Sequence, residues 1–339
     1  MRYIRLSSIT AVLAGILSCA VPASAQEPFY KGKTINIIVA TGAGGGFDIS
    51  ARLIARHMGR HIPGNPNIIV QNMSGASGQT ALMYMEESAP KDGTTIVTFN
   101  PGLLLQSVLT PDKVRPKFSE FSWLGSIAAN VRVCYVWHTT GIKTIEDMIN
   151  KDQLFMGVTG GGGGTADIDQ RILRKVLGVK VKQVSGYEGG AQHRLALERG
   201  ELDGDCIGSS GIPVDWLRDK LINVVVRMQD GQPSHVTTPL PYVGDLVTDP
   251  VQKKLLELLS VPSELGRPFV VLKSVPADRT KILAEAFAKT VIDPEFVADS
   301  DKVRQEISAI SGMKLQQMID AMGRAPQAAV EAARQVMAD

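Results

Sequence analysis

Hydrophobic and polar positions along the chain follow the repeats of strands and helices in turn. Runs rich in β-branched residues predict strands at 35–40, 67–71 and 94–99. Between them, apolar positions spaced by three or four residues predict a helix at 49–60, and a second helix is predicted at 80–87. Strands and helices that alternate in this way are typical of an α/β domain with a largely parallel sheet.

The same plan returns in the second half of the chain. Strands are predicted at 154–159, 179–184 and 202–207, with helices at 167–177 and 191–199. The two halves share this plan but little sequence identity. We therefore predict two similarly built units and not a repeat array.

Two segments are predicted to cross between these units. The apolar stretch 121–136 would lead from the first unit to the second, and 269–273 would lead back. The segment 228–250 is rich in Pro, Gly and Thr and is predicted to be a loop. Two C-terminal helices, at 281–290 and 316–322, would return to the first unit.

The length of 339 residues exceeds what one hydrophobic core usually serves. We therefore predict an α/β fold of two lobes. Lobe 1 would comprise 26–125 and 264–339, and lobe 2 would comprise 126–263.

The first 25 residues resemble a secretory signal peptide. A short basic start precedes an apolar core at 9–17, which is too short to span a bilayer, and 23–25 read Ala-Ser-Ala. We expect cleavage after Ala25 and a periplasmic location, with a retained N-terminal helix as the alternative. The residues before Cys19 depart from a lipoprotein cleavage box, so we do not expect lipid anchoring at Cys19.

Charge excludes two classes of partner. The predicted signal peptide holds two basic residues and no acidic ones, so its removal leaves equal numbers of basic and acidic side chains. Nucleic acid and anionic membranes are therefore not expected as partners. No later stretch reaches the roughly 18 apolar residues of a membrane helix.

Two cysteines follow the predicted signal peptide. Cys134 and Cys206 lie far apart in sequence and lack the C-x-x-C spacing. An oxidising compartment permits a disulfide between them. The interpretation that we favour is two buried thiols that pack as small hydrophobic groups.

Both halves contain a strand that ends in glycines and is followed at once by a helix. TGAGGGFD occupies 41–48 and TGGGGGTAD occupies 159–167. A helix start leaves backbone N–H groups unpaired and carries a partial positive charge, and glycines let these groups approach a ligand closely. The junctions therefore predict an anion site. Gly45→Val is predicted to impair binding, because valine resists positive φ and blocks the ligand.

The junctions do not fit two nucleotide-binding motifs. A dinucleotide fingerprint needs a third glycine where Phe47 stands, and a phosphate loop needs G-K-[ST] where Phe47 and Asp48 follow Gly46. Glycines 160–164 are also compatible with a flexible loop that binds nothing. Asp48 can cap its own helix, contact a ligand, or do both.

The sequence contains few residues in catalytic patterns. The chain has no G-x-S-x-G motif. His57 and His61 have the i, i+4 spacing of metal ligands, but no acidic or sulfur partner is near them in sequence. We predict a protein that is not an enzyme and has no cofactor, no catalytic residue and no metal site. A secreted metal-dependent hydrolase that uses both histidines is kept as the alternative.

The order and spacing of several motifs resemble the Bug-type extracytoplasmic solute receptors of tripartite tricarboxylate transporters. The segments that carry the resemblance are YKGKTINIIVATGAGGGFDISARLIARHM, VQNMSGASG, APKDGTTI and SGYEGGAQHRLALERGELDG. The resemblance runs over nearly the whole chain after the predicted signal peptide. It implies a two-lobed, type II periplasmic-binding-protein fold that closes like a flytrap over a small organic carboxylate or amino acid.

The resemblance also implies partners and a site. The partners would be the membrane permease subunits of a tripartite tricarboxylate transporter, with a two-component sensor kinase as an alternative. The ligand would lie on backbone groups of both lobes. The predicted ligand-binding residues are Gly44, Gly45, Gly46, Phe47, Asp48, Ser74, Gly75, Ala76, Ser77, Gly78, Asn100, Thr159, Gly163, Gly164, Thr165, Asp167, Tyr187, Gly189 and Gly190.

The sequence departs from the family pattern in ways that affect charge. Asp167 and Glu188 stand where other residues are usual, and Ser77 replaces a usual glycine. The five loops predicted to form the site contain no Lys or Arg, yet they contain Asp48, Asp167 and Glu188. If all three faced the cleft, a dicarboxylate would be repelled. Either some carboxylates point outward or the ligand has an amino or neutral polar end.

Overall fold

The computed structural model describes residues 27–127, 131–159, 163–233, 236–303, 305 and 307–338, so the predicted signal peptide and its cleavage site lie outside the described residues. The described strands form two sheets, of six and five strands. The strands are β1 (Thr34–Val39), β2 (Asn67–Asn72), β3 (Thr95–Thr98), β4 (Phe121–Ser126), β5 (Arg132–Trp137), β6 (Leu154–Thr159), β7 (Val181–Tyr187), β8 (Gly204–Gly208), β9 (Ile222–Arg227), β10 (Pro268–Leu272) and β11 (Ile310–Ser311).

The two sheets are built on one plan. Their strand orders are β11-β4-β10-β3-β1-β2 and β7-β6-β8-β5-β9. In the first sheet β1 lies parallel to β2 and β3, and β10 is inserted antiparallel between β3 and β4. In the second sheet β6 lies parallel to β7 and β8, and β5 is inserted antiparallel between β8 and β9. The prediction of two similarly built units is confirmed.

Helices cover both sheets and follow the predicted strands. The α-helices are α1 (Gly46–Met58), α2 (Gln79–Glu87), α3 (Gly102–Leu109), α4 (Ile145–Asn150), α5 (Thr165–Lys175), α6 (Gly190–Glu198), α7 (Val214–Arg218), α8 (Pro250–Leu265), α9 (Ala277–Thr290), α10 (Pro294–Lys302), α11 (Gly312–Gly323) and α12 (Gln327–Met337). Helix α1 buries Leu53, Ile54 and Met58, the stripe that its periodicity predicts. Among the described residues, no helix is both long and apolar enough to cross a membrane.

The predicted crossing at 121–136 is divided between the sheets. Strand β4 belongs to the first sheet and β5 to the second, so the chain changes sheet between Ser126 and Arg132. Helix α8, which was not predicted from the sequence, follows the predicted loop at 228–250 and packs against α3, α11 and α12. The lobe boundaries themselves stay a prediction.

The prediction of two free thiols is wrong. Cys134 of β5 and Cys206 of β8 are directly opposite each other in neighbouring antiparallel strands, and they form a disulfide with an S–S distance of 2.05 Å. The cause is the insertion of β5 beside β8, which brings together residues 72 positions apart. Both side chains are buried, as predicted.

Candidate ligand-binding cleft

Four helix starts meet at a cleft between the two sheets. Helices α1 and α3 follow strands of the first sheet, and α5 and α6 follow strands of the second. The cleft encloses a cavity of about 120 Å³ whose walls include Gly46 at the start of α1, Thr165 at the start of α5 and Gly190 at the start of α6. Each of these helix starts offers backbone N–H groups that have no intrahelical acceptor.

Loops of the two lobes contact each other directly beside this cavity. The Gly42 amide donates to the carbonyl oxygen of Glu188 at 2.8 Å. The Asn100 side chain accepts from the Thr165 amide at 3.2 Å and donates to its hydroxyl at 3.3 Å. Asn100 also accepts from the Gly102 amide at 2.9 Å, so one side chain connects the starts of α3 and α5.

The glycine junctions have matching backbone geometry. Gly44 has φ +74° and Gly163 has φ +81°, values that favour glycine over other residues. Gly45 and Gly164, which follow them, are extended, with φ −87° and −79°. The φ argument for Gly45→Val is therefore wrong, because the left-handed residue is Gly44. A valine side chain at Gly45 would still enter the cleft wall opposite the Gly190 amide.

A buried aspartate stabilises each junction in the same way. Asp48 accepts from the Gly44 amide (2.8 Å), from Arg52 four residues later (3.0 Å) and from Asn72 at the end of β2 (3.0 Å). The second lobe repeats this arrangement, and we call the pair the aspartate braces.

Asp167 is the brace of the second lobe. It accepts from the Gly163 amide (2.7 Å), from Arg171 four residues later (2.8 Å) and from Gln183 of β7 (2.7 Å). Both aspartates are therefore fully engaged with the protein.

The three acidic residues of the predicted loops do not line the described cavity walls. Burial alone would raise the pKa of Asp48. Hydrogen bonds from Arg52, Gly44 and Asn72 have a larger, opposite effect, so the pKa lies below its ordinary value. Glu188 is solvent-exposed and accepts from Gln192. Asp48 and Asp167 are each paired with an arginine of their own helix, so the repulsion of a dicarboxylate expected from sequence is weakened in this geometry.

Positive charge reaches the cleft from outside the predicted loops. Arg132, Arg194 and Arg267 all line the cavity. Arg132 begins β5, pairs with the buried Asp169 and donates to the Cys206 carbonyl at 2.7 Å. Burial raises the pKa of Asp169 to about 6, although Arg132 lowers it. Arg194 of α6 reaches across the cleft to the Gly44 carbonyl at 2.8 Å.

Arg267 is held by hydroxyl groups. Its guanidinium donates to Ser50 of α1 at 2.9 Å and to Ser210, which follows β8, at 3.2 Å. Burial, and then the charge of Arg132, lower the pKa of Arg267 to about 10. The group remains a cation at neutral pH.

His193 of α6 also lines the cavity. It is buried, and its Nδ1 lies 2.8 Å from Oδ2 of the buried Asp205. Burial lowers the pKa of His193, but Asp205 raises it more, so the pKa lies above its ordinary value. His193 and the three arginines were missed from sequence. The sequence does offer a signal for two of the arginines, namely a basic residue beside an apolar strand. Arg132 is the first residue of β5, and Arg267 immediately precedes β10.

The predicted ligand-binding residues divide into two groups. Eight of them line the cavity, namely Gly45, Gly46, Phe47, Asn100, Thr159, Thr165, Gly189 and Gly190. The others lie beside or behind the described walls, namely Gly44, Asp48, Ser74, Gly75, Ala76, Ser77, Gly78, Gly163, Gly164, Asp167 and Tyr187.

His57 of α1 and His61 of the turn that follows α1 lie in an ion-pair cluster. His57 lies 3.0 Å from Asp299 and His61 lies 2.8 Å from Asp293, so acidic partners that are distant in sequence are near in the fold. Among the described residues, no group of three metal-ligating side chains is present. The pair connects α1 with the region of α10.

The sequence has recognisable relatives. No family model matches the chain. It is 28% identical over 189 residues to the UPF0065 protein in the TAR-I ttuE-ttuC' intergenic region of Agrobacterium vitis, a match that covers 54% of this chain and 53% of that protein. The chain thus spans about half the length of this curated relative.

The fold has solved counterparts over nearly the whole chain. The periplasmic binding protein BugD has a TM-score of 0.73 at 17% identity, covering 91% of this chain and 98% of its own. MatC from Rhodopseudomonas palustris, solved with bound malate, has a TM-score of 0.70 at 16% identity, covering 90% and 99%. BugD is named as a periplasmic binding protein, in agreement with the prediction of a binding protein for this chain. The two-lobed periplasmic-binding-protein fold and the resemblance to the Bug-type extracytoplasmic solute receptors are confirmed.

Proposed function

We propose that the protein is a periplasmic receptor that binds a small organic carboxylate in the cleft and delivers it to the permease of a tripartite tricarboxylate-type transporter. The observation that carries the proposal is the convergence of helix starts and arginine side chains on one cavity, with the three loop carboxylates outside its described walls. Backbone N–H groups at helix starts and guanidinium groups are both donors that suit carboxylates.

The comparisons support the class of ligand. MatC, which shares the fold, was solved with malate. The periplasmic location and delivery to a permease rest on the predicted signal peptide and on the family resemblance. A protein recovered from the periplasm with Gln26 as its first residue would support export.

Thermal melting tests the ligand class. Purified protein, freed of copurified ligand, would be melted with malate, with the unbranched dicarboxylates from succinate to adipate, and with amino acids. A ligand at about one hundred times its dissociation constant adds roughly 2.7 kcal/mol of stability. A shift of several degrees is therefore expected, at about 2–4 °C per kcal/mol.

The matched controls are the neutral diamides of the same acids. They keep the shape of the ligand and remove its charge, so they are expected to leave the melting temperature nearly unchanged. If none of the acids shifts the melting temperature, the carboxylate proposal is wrong.

A further inference from the structure

Arg267 differs from Arg132 in how its charge is balanced. Arg132 is paired with Asp169. Arg267 is 6% exposed, and among the residues that the structure describes it has hydroxyl partners and no carboxylate partner. The neighbouring charge that lowers its pKa is that of Arg132, which has the same sign. A buried cation without a counterion is strongly unfavourable.

The two hydroxyl partners of Arg267 belong to different lobes. Ser50 lies on α1, which packs on β1 and β2 of the first sheet. Ser210 follows β8 of the second sheet. The guanidinium is therefore enclosed when the lobes approach each other, and separation of the lobes would expose it to water.

Arg267 also lies beside the anion site predicted at the start of α1. A Cβ atom added at Gly46 would be 2.7 Å from Nη2 of Arg267, so the guanidinium occupies the space beside the first residue of α1. The Phe47 ring is 5.9 Å from the guanidinium carbon. An anionic group seated on the start of α1 would therefore neutralise Arg267 as well.

We propose that Arg267 couples lobe closure to the arrival of an anion and so selects anionic over neutral ligands. In the closed cleft without an anion, the guanidinium loses water and gains no counterion, which disfavours closure. A ligand carboxylate supplies the counterion and makes closure favourable. This inference rests on the proposed function, since the carboxylate is the ligand of that cleft.

The test compares the wild type with Arg267→Met, which keeps much of the side-chain volume and removes the charge. Arg218→Met is the matched control, because Arg218 is an exposed residue paired with Asp219. Solution scattering would give the radius of gyration without and with malate or adipate. Calorimetry would give the affinities for each acid and for its diamide.

We expect the wild type to contract only with acid. Arg267→Met is expected to show the contracted radius without acid. Its preference for acid over diamide is expected to fall about tenfold or more, as loss of one hydrogen bond to a charged group implies. Arg218→Met should behave as the wild type. Arg267→Lys keeps a cation and should still contract only with acid.

The proposal is overturned if Arg267→Met has the wild-type radius without acid, or if it keeps the wild-type preference for acid. Circular dichroism would establish that the variant is folded, and Arg267→Gln would replace it if it is not. A wild type that binds none of the acids contradicts the proposed function instead. The scattering comparison without acid would still decide the role of Arg267.

Discussion

Arg194 of α6 donates a hydrogen bond to the carbonyl oxygen of Gly44, on the opposite side of the cleft, at 2.8 Å. The amide of the same Gly44 is held by Asp48. One left-handed glycine is thus fixed from both sides, by its own lobe through N–H and by the other lobe through C=O. The shape of the first glycine junction therefore depends on the position of the second lobe.

Substitution of Gly102 tests whether lobe closure requires the close contact between the start of α3 and the glycine junction of the other lobe. A Cβ atom at Gly102 would lie 2.5 Å from the carbonyl oxygen of Gly163, in the opposite lobe. Gly102→Ala is therefore expected to hold the lobes apart and to weaken carboxylate binding by roughly 5- to 150-fold, the equivalent of about 1–3 kcal/mol of overpacking. Gly323→Ala is the control, because no atom lies within 4 Å of its added Cβ. Equal affinities measured by calorimetry would contradict the prediction.

The aspartate braces are expected to support the junctions without reading the ligand. Asp48→Asn should lower the free energy of unfolding by about 1–3 kcal/mol, since a buried charge-assisted hydrogen-bond network is weakened. It should not change the ratio of affinities for an acid and its diamide, because Asp48 is engaged by Gly44, Arg52 and Asn72. Asp167→Asn should behave alike. If either variant prefers the acid over its diamide much more strongly than the wild type does, the substituted aspartate contacts the ligand in the cleft.

The disulfide is expected to contribute substantially to stability. Replacement of Cys134 and Cys206 together by alanine should cost about 2–5 kcal/mol, because the bond closes a long loop of the unfolded chain. Chemical denaturation with and without reductant gives the measurement. Reductant should destabilise the wild type and leave the double variant unaffected. An equally stable double variant would show that the bond is dispensable.

His193 predicts a dependence of stability on pH. Its pKa is raised in the folded protein, since the effect of Asp205 exceeds that of burial. A raised folded-state pKa adds stability that is fully present below the unfolded value near 6.5 and is lost as pH rises through the folded value. The difference in unfolding free energy between wild type and His193→Gln should shrink over that interval. A difference that stays constant with pH would argue against a charged His193.

Sequence patterns predicted the parts of the fold that are local. Strand β6 has the predicted bounds. Helix α1 begins three residues earlier than predicted, at Gly46 inside its glycine cluster, and α5 begins two residues earlier, at Thr165 directly after its cluster. The early start of α1 at Gly46 has a cause, because glycine lacks the apolar side chain on which a periodicity depends. Helix α8 was missed, since Pro262 lies within it and proline usually indicates a helix end.

Local patterns mark Arg132 and Arg267 as basic residues beside apolar strands, but they do not show that these residues meet at one cavity. Arg132 and Arg267 are far apart in sequence, and the inserted strands β5 and β10 bring the segments around them to one cavity. The same insertion joins Cys134 to Cys206. The resemblance of motifs predicted the glycine loops, whereas contacts between residues far apart in sequence decide which charges line the cavity.

The two halves of the cleft are built alike, so only side chains that differ between them can distinguish the two ends of a ligand. Each half of the cleft has a left-handed glycine, an aspartate brace and a helix start. A ligand with two similar ends would thus meet two similar binding sites, and these sites alone do not fix its orientation. Arg267 and His193 line the cavity and break this approximate symmetry, so we expect them to set the direction in which a ligand lies.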